Sequence, residues 1–170
     1  MLSVLYDGTG AQVADGRFTV KGVQRLLHHA PSRERIMLLG HGSDCGLFYR
    51  DCDSDECFGG IAVGHQHAFY LRRHMGSIIG IWCHADMFAR KEGLHGLFSG
   101  MIVSDEGEAR GCGIAAAQHD ILASCTAMFG KLRRLLDAGV PLHEIPYRMK
   151  ALDDEHTQLS AFNYGNFCYL

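Results

Sequence analysis

The sequence lacks long apolar runs, strongly basic segments and tracts of biased composition. No stretch approaches the roughly 20 apolar residues that a membrane-spanning helix requires. The formal net charge is -3, and no group of basic residues is larger than Lys131, Arg133 and Arg134, so nucleic-acid binding has no electrostatic support. With 47% apolar and 21% charged residues, the composition is typical of a globular protein. We therefore expect a single soluble domain over residues 1–170, without a membrane or a nucleic-acid partner.

The cysteines do not have the regular spacing of a disulfide framework. There are seven of them, and an odd, scattered set favours a reducing compartment. The N-terminus starts directly with Leu2-Ser3-Val4-Leu5-Tyr6 and lacks the basic and longer apolar segments of a secretory signal. The sequence therefore predicts a cytoplasmic protein.

Strand and helix patterns alternate along the chain, which predicts an α/β fold with a doubly wound, mostly parallel sheet flanked by helices. Strands are expected at residues 2–6, 36–39, 78–83 and 98–103, with a short extra strand at 46–49 and a last strand or hairpin in the tail. Helices are expected from residue 19 to Pro31, at 61–75 and at 112–138, and 86–95 is a loop or short helix. Asp15-Gly16 is either a hairpin turn or part of an extended loop.

Two of the predicted strands end in chemically reactive side chains. The apolar run at 78–83 reads as a strand buried on both faces of a parallel sheet, and it ends in Cys83 and His84. The shorter run at 36–39 ends in Gly40-His41-Gly42. Because ligands bind outside the carboxyl ends of the strands in open α/β sheets, the sequence predicts that His41 and Cys83 share one edge.

A histidine and a cysteine at one sheet edge have the residue types that acyl transfer needs. A thiolate is a strong nucleophile, and nearby positive charge or helix dipoles favour it. His41 can act as a base or donate a proton to a leaving amine. The backbone N–H groups of Gly42 and Cys83 are candidate donors of an oxyanion hole.

This order of motifs resembles the caspase-like cysteine peptidases, a clan that includes caspases, metacaspases, gingipains, clostripain, legumain and separase. In that clan a His-Gly pair follows the third core strand and a cysteine follows the fourth. Gly40-His41-Gly42 and Cys83-His84 are most similar to the metacaspase forms. The resemblance implies a caspase-like three-layer sandwich, with His41 as general acid/base, Cys83 as nucleophile and Gly42 as an oxyanion-hole donor.

The substrate-binding residues implied by the resemblance are acidic. Metacaspases carry an aspartate two residues before the cysteine that helps bind a basic side chain, and Ile81 stands there in this chain. Asp7 occupies the end of the predicted first strand, from which family members often contribute a specificity residue. Asp44 and Asp86, next to the two motifs, are the alternatives.

The segment 45–67 contains candidate metal ligands, but their pattern does not define a site. Asp51, Asp53 and Asp55 resemble the start of an EF-hand loop, yet Glu56 replaces the required glycine and Ala62 the required glutamate. The spacings of the cysteines and histidines match no standard zinc pattern; these residues are Cys45, Cys52, Cys57, His65 and His67. We predict no metal and no cofactor, while calcium dependence, known for several metacaspases, stays an open alternative.

Two functional classes follow from these observations. The first is a cysteine endopeptidase that acts on a peptide or protein substrate. The second is a catalytically silent caspase-like module that binds a protein partner or a metal. Homo-oligomerisation is left open by the sequence. A nucleotide-binding domain is disfavoured, because no G-x-G-x-x-G or Walker-type loop follows any predicted strand.

Overall fold

The computed structural model describes residues 1–14, 19–50 and 58–170. Its helices are α1 Val20–His29, α2 Ala68–Leu71, α3 Ala85–Glu92, α4 Glu106–Gly111, α5 Gln118–Asp137, α6 Ile145–Ala151 and α7 Gln158–Gly165. Its strands are β1 Ile36–Leu39, β2 Gly42–Ser43, β3 Gly46–Arg50, β4 Phe58–Gly64, β5 Ile78–Ile81, β6 Gly96–Ser99 and β7 Phe167–Tyr169. Short 3-10 turns lie at Leu2–Leu5, His65–His67 and Arg72–His74.

The chain groups into two compact units, each built from separate stretches of sequence. Unit 1 contains residues 1–13 and 101–167, and unit 2 contains residues 14–100 and 168–170. Unit 1 is mainly helical, whereas unit 2 holds most of the strands. The expectation of one domain over residues 1–170 concerns folding cooperativity and stays a prediction.

A four-stranded sheet in the order β1-β5-β6-β7 forms the framework of unit 2. Strand β5 pairs in parallel with β1 on one side and with β6 on the other. Gly96 and Leu170 exchange both backbone hydrogen bonds at 3.1 and 3.0 Å, which is the pattern of an antiparallel pair. The sheet is therefore mixed but mostly parallel, and the predicted α/β class is confirmed at that level.

The central strand β5 is buried along its whole length, as expected for a parallel strand covered on both faces. The core around it contains large side chains from the strands and from α3, including Trp82, Phe88 and Phe98, none more than 2% exposed. At roughly 25 cal/mol per Å² of apolar surface removed from water, side chains of this size dominate the stability of such a core.

A second sheet, β2-β3-β4, is antiparallel and follows β1 directly. Buried His67 ties its last strand to α1. The His67 Nδ1 atom accepts a hydrogen bond from Gly64 N at 3.1 Å, and its Nε2 lies 3.2 Å from the carbonyl oxygen of Val20. Burial lowers the pKa of His67, in keeping with a neutral ring that donates from Nε2.

Unit 1 is organised around the long helix α5, whose inward face repeats at helical spacing. Ile121, Cys125, Met128, Phe129 and Leu132 are all buried. This is the apolar stripe that a core-facing helix requires. The α5 stripe was expected from the sequence, although the helix begins at Gln118 rather than at residue 112.

The predicted first strand at residues 2–6 is wrong, because the chain forms a 3-10 turn at Leu2–Leu5. Arg133 of α5 stabilises this conformation: its Nη1 donates to the backbone oxygens of Val4 and Asp7, each at 3.0 Å. A partner some 130 residues away in the chain cannot be seen in a local pattern.

The predicted helix at 61–75 and the predicted strand at 98–103 are also displaced. Residues 61–64 of the predicted helix form the end of β4, and residues 65–74 are helical. Strand β6 ends at Ser99. Beyond it, the backbone of Val103 bonds to the Asn163 side chain instead of a strand, with N–H to Oδ1 at 2.8 Å and Nδ2 to O at 3.0 Å.

The predicted helix at 112–138 and the predicted strand or hairpin in the tail also differ from the structure. Gly113, with φ of 71°, follows α4 and separates it from α5, so the helix expected at 112–138 is shorter. In the tail, Thr157 and Ser160 form a capping box that starts α7, where a strand or hairpin was expected. The last strand, β7, is confirmed. Asp15-Gly16 lies outside the described residues.

Candidate functional site

The parallel pairing of β1 and β5 aligns the two predicted catalytic residues. Leu39 stands opposite Ile81 in the register, so His41 and Cys83 each follow an aligned strand end by two residues. The ladder continues past β1, because Gly40 N donates to Ile81 O at 3.0 Å. The expectation that both residues lie at the carboxyl edge of neighbouring strands is therefore confirmed. His41 is exposed and Cys83 is partly exposed.

A tight hairpin begins immediately after His41 and fixes the direction of the Gly42 amide. Phe48 N donates to His41 O at 2.8 Å, and Gly42 stands opposite Leu47 in the next position of the antiparallel pair. Hydrogen-bonded and non-hydrogen-bonded pairs alternate in such a ladder. Gly42 therefore belongs to a non-hydrogen-bonded pair, and its N–H group points away from β3.

Trp82 holds this hairpin against the end of β5. Its indole Nε1 donates to Ser43 O at 3.0 Å, and its ring lies against the Cα of Gly42. A Cβ atom at Gly42 would come within 2.3 Å of Trp82 Cδ1 and 2.4 Å of Gly46 O. Only glycine fits there, so the close approach of the hairpin to the residue before Cys83 depends on it.

Ser99, at the end of β6, fixes the backbone on the other side of Trp82. Trp82 N donates to Ser99 Oγ at 3.1 Å, and Ser99 Oγ donates to Trp82 O at 2.8 Å. Ser99 is fully buried. One hydroxyl thus satisfies both polar groups of the peptide residue that precedes Cys83, and sets the place where β5 ends.

The chain turns sharply from β5 into α3 around Cys83. His84, the N-cap of α3, has left-handed φ and ψ values of 66° and 29°, which are uncommon for a residue other than glycine. His84 N donates to Gly100 O at 3.3 Å. Cys83 therefore lies in a sharp turn between a strand and a helix.

The acidic candidates are placed differently from one another. Asp44 lies in the hairpin turn, where its Oδ1 accepts from the thiol of Cys45 at 3.7 Å. Asp86 lies in the first turn of α3. Burial, and then the Asp86 carboxylate, raise the pKa of the Cys168 thiol, while Arg90 opposes them. Asp44 and Asp86 thus belong to unit 2, together with His41 and Cys83.

Asp7 belongs to unit 1. Its selection rested on a first strand that ends there, and the 3-10 turn at Leu2–Leu5 removes that reason. The backbone oxygen of Asp7 accepts a hydrogen bond from Arg133, a contact that orders the N-terminal turn.

The sequence pattern does not identify Ser99 or Trp82 as residues that position the backbone before Cys83. A signal for Ser99 was present, since it is the one hydroxyl at the end of the apolar run Leu97-Phe98. A polar side chain at a buried strand end usually serves a hydrogen-bonding partner. Which partner it serves depends on the pairing of β5 with β6 and is not visible in the sequence.

Within the described ranges, no group of three or more His, Cys, Asp and Glu side chains is arranged to hold a metal ion. Asp51, Asp53 and Asp55, and with them Cys52 and Cys57, lie outside those ranges, so the calcium and zinc alternatives stay untested. His65 instead contacts the buried Glu92 carboxylate at 2.9 Å. None of the helices in the described part of the chain has the length and apolarity to cross a membrane.

The site therefore consists of a histidine and a cysteine at aligned strand ends of an α/β sheet, with a glycine amide directed away from its ladder. Comparisons of this chain with models of protein families, with curated proteins and with solved structures found no match.

Proposed function

We propose that the protein is a cysteine endopeptidase with a caspase-like arrangement, in which Cys83 is the nucleophile and His41 the general acid/base. The observation that carries this proposal is the register of β1 and β5, which places both residues two positions beyond aligned strand ends. The resemblance of Gly40-His41-Gly42 and Cys83-His84 to the metacaspase motifs supports the same assignment. The caspase-like three-layer sandwich is part of the proposal.

The proposed reaction has two steps. The Cys83 thiolate attacks the carbonyl carbon of a peptide bond, and His41 donates a proton to the departing amine as the C–N bond breaks, which leaves a thioester. Water then attacks the thioester while His41 accepts a proton from it, which releases the carboxylic acid and restores the Cys83 thiolate and the protonated His41. In both steps the N–H groups of Gly42 and Cys83 stabilise the negative charge on the carbonyl oxygen.

The substrate is a peptide or protein in this proposal. Asp44 and Asp86 are the candidate substrate contacts, because they lie on the hairpin and helix that follow His41 and Cys83. A carboxylate near the scissile bond favours a positively charged substrate group. Asp7 is the weaker candidate, since the strand that pointed to it does not form.

The second candidate is a catalytically silent module that binds a protein partner. The observation that favours it is the tight packing of the hairpin on Trp82, the residue before Cys83. If the hairpin also covered Cys83, a substrate could not reach the thiol. Cys83 is partly exposed, however, and this supports the peptidase over the silent module.

Selective alkylation tests the nucleophile directly. Native protein is treated with a limiting amount of iodoacetamide, and the modified cysteines are identified by peptide mass mapping. We expect Cys83 to react before the other cysteines at pH 7, and more slowly in His41→Ala, because the imidazole favours the thiolate. The matched control is His95→Ala, which removes another exposed imidazole in unit 2. The backbone oxygen of His95, which accepts a hydrogen bond from Gly76 N, is kept in this variant.

Hydrolysis of a fluorogenic peptide library tests the activity. Substrates with basic, acidic and apolar side chains before the scissile bond are compared. We expect Cys83→Ala to lower turnover by ~10³-fold or more without a loss of stability, because no other group replaces the nucleophile. Unchanged turnover in Cys83→Ala, or a Cys83 that resists alkylation while other cysteines react, would contradict the proposal and favour the silent module.

A further inference from the structure

Unit 1 contains a cavity that has no role in the proposed peptidase. It lies between α5, the segment at 114–116 and the start of α7, and its volume is about 610 Å³. That volume is in the range of sites for small molecules. Its apolar walls come from short aliphatic side chains: Ile114, Ala115, Ala116, Ala123, Ala127 and Leu159.

Two side chains that line this cavity each have an enclosed oxygen atom without a hydrogen-bond partner in the described part of the chain. These atoms are Ser124 Oγ and Glu155 Oε1. Ser124 is only 5% exposed, so bulk water cannot easily supply the missing hydrogen bond to its hydroxyl. An unsatisfied buried hydroxyl or carboxylate oxygen is costly. Both atoms are enclosed, so each side chain has to rotate towards the cavity before a ligand can donate to it. Hydrogen bonds made in this way would remove that cost.

The charges around the cavity favour a cation. Asp120 and Glu155 line it, and none of its lining residues is lysine or arginine. The nearby Lys131 does not neutralise the site, because its Nζ donates to Leu152 O and to Asp154. Of the two carboxylates, Asp120 already has a partner, because it contacts the exposed ring of His119 at 3.0 Å. Glu155 has an enclosed oxygen without a partner.

We propose that this cavity binds a primary ammonium group on a short aliphatic chain, with Glu155 and Ser124 accepting hydrogen bonds from the ammonium. An ammonium offers three donors and no acceptor, which matches a wall that presents acceptors. The aliphatic chain packs against the alanine side chains of α5. The ammonium comes from a free aliphatic amine or from a lysine side chain in a peptide. This site does not depend on Cys83 or His41.

Calorimetric titration of the full-length protein tests the proposal with three probes. The probes are 1,4-diaminobutane, Nα-acetyl-lysine N-methylamide and, as an uncharged match, 1,4-butanediol. We expect at least one amine to bind and the diol to bind at least tenfold more weakly. Tighter binding of the diamine identifies a free amine as the ligand, and tighter binding of the lysine derivative identifies a lysine side chain.

Substitutions then locate the binding site. Glu155→Gln keeps the shape and removes the charge, so we expect affinity for the amine to fall roughly tenfold or more, as for loss of a charge-assisted hydrogen bond. Glu34→Gln removes the same charge from an exposed position in unit 2 and should bind like the wild type. Ala127→Leu places a larger side chain in the cavity from an exposed helix position and should abolish binding. This variant keeps the test valid if Glu155→Gln does not fold.

Three results would overturn the proposal. They are the absence of amine binding at millimolar concentrations, equal affinity for the diol, and wild-type affinity in both Glu155→Gln and Ala127→Leu. Thermal unfolding of each variant, measured beside the titration, shows that a loss of binding is not a loss of fold.

Discussion

At residue 42, the absence of a side chain decides how closely the hairpin approaches the end of β5. The Trp82 ring and the carbonyl oxygen of Gly46 occupy the space where a Cβ would lie. The same glycine directs its amide away from β3, through the alternation of the antiparallel pair. One residue thus serves the packing of the hairpin and the proposed oxyanion hole.

Replacement of Gly42 by alanine is therefore expected to destabilise the protein. Contacts of 2.3 and 2.4 Å cannot be accommodated without a shift of the hairpin or of Trp82, and such overpacking costs about 1–3 kcal/mol. The free energy of unfolding, from urea denaturation, measures this loss. Peptide hydrolysis should fall as well, since the amide at residue 42 moves.

The control for this substitution is Gly111→Ala in α4. A Cβ at Gly111 meets nothing within 4 Å, and alanine is a better helix former than glycine. Gly111→Ala should leave stability unchanged or raise it slightly. Equal stability of Gly42→Ala and wild type would show that the hairpin does not pack on Trp82 as described.

At the scale of elements, strands β5 and β6 are joined at their carboxyl ends by a side chain as well as by the ladder. The Ser99 hydroxyl bonds to both the N–H and the C=O of Trp82. The regular pairing of β5 with β6 ends at Gly80 and Phe98, so this hydroxyl takes over where the backbone ladder stops. It sets the turn from which Cys83 and α3 follow.

Ser99→Ala should leave both backbone groups of Trp82 without this partner. Unsatisfied buried groups cost about 1–3 kcal/mol, so the free energy of unfolding should fall by that amount, as measured in urea. If Cys83 is the nucleophile, kcat should fall too, because its backbone is less well fixed. Ser32→Ala, at an exposed position in the loop before β1, is the control and should change neither quantity. A stable, fully active Ser99→Ala would contradict the positioning role.

At the scale of the whole molecule, the buried Cys125 thiol makes stability depend on pH in the alkaline range. Burial is the main cause that raises its pKa to about 11, the carboxylates of Glu108 and Glu155 add to it, and Asn163 opposes it. The unfolded thiol titrates near 9.0. Because the folded pKa is the higher one, the stabilising effect is complete below pH 9 and is lost as the pH rises towards 11.

The expected loss is about 2 kcal/mol between pH 9 and pH 11, from a difference of about two pKa units. Other groups also titrate there, so the quantity to measure is the free energy of unfolding of the wild type minus that of Cys125→Ala. This difference should decrease across the interval. Cys45→Ala, which removes an exposed thiol from the hairpin turn, is measured beside it as the matched cysteine substitution. A flat difference for Cys125 would refute the effect of burial.

The sequence predicted best the elements whose signal is local and strong. Strand β1 has the predicted bounds, β5 begins at the predicted residue, and the apolar stripe of α5 faces the core. Where a partner distant in sequence competes with local propensity, the predictions failed. Arg133 draws the N-terminal segment into a 3-10 turn, and the Asn163 amide takes the place of a strand partner at Val103.

The sequence by itself determined the α/β class and the placement of His41 and Cys83 at strand ends, because short apolar runs followed by Gly-His-Gly and Cys-His carry those signals locally. Only the tertiary structure decided how the strands pair, where Ser99 and Trp82 fix the turn, and that Ser124 and Glu155 line one cavity. Most of these features rest on contacts between residues distant in the sequence, such as Trp82 and Ser99, which are 17 positions apart. The register of the sheet and the packing of α5 on α7 bring such residues together.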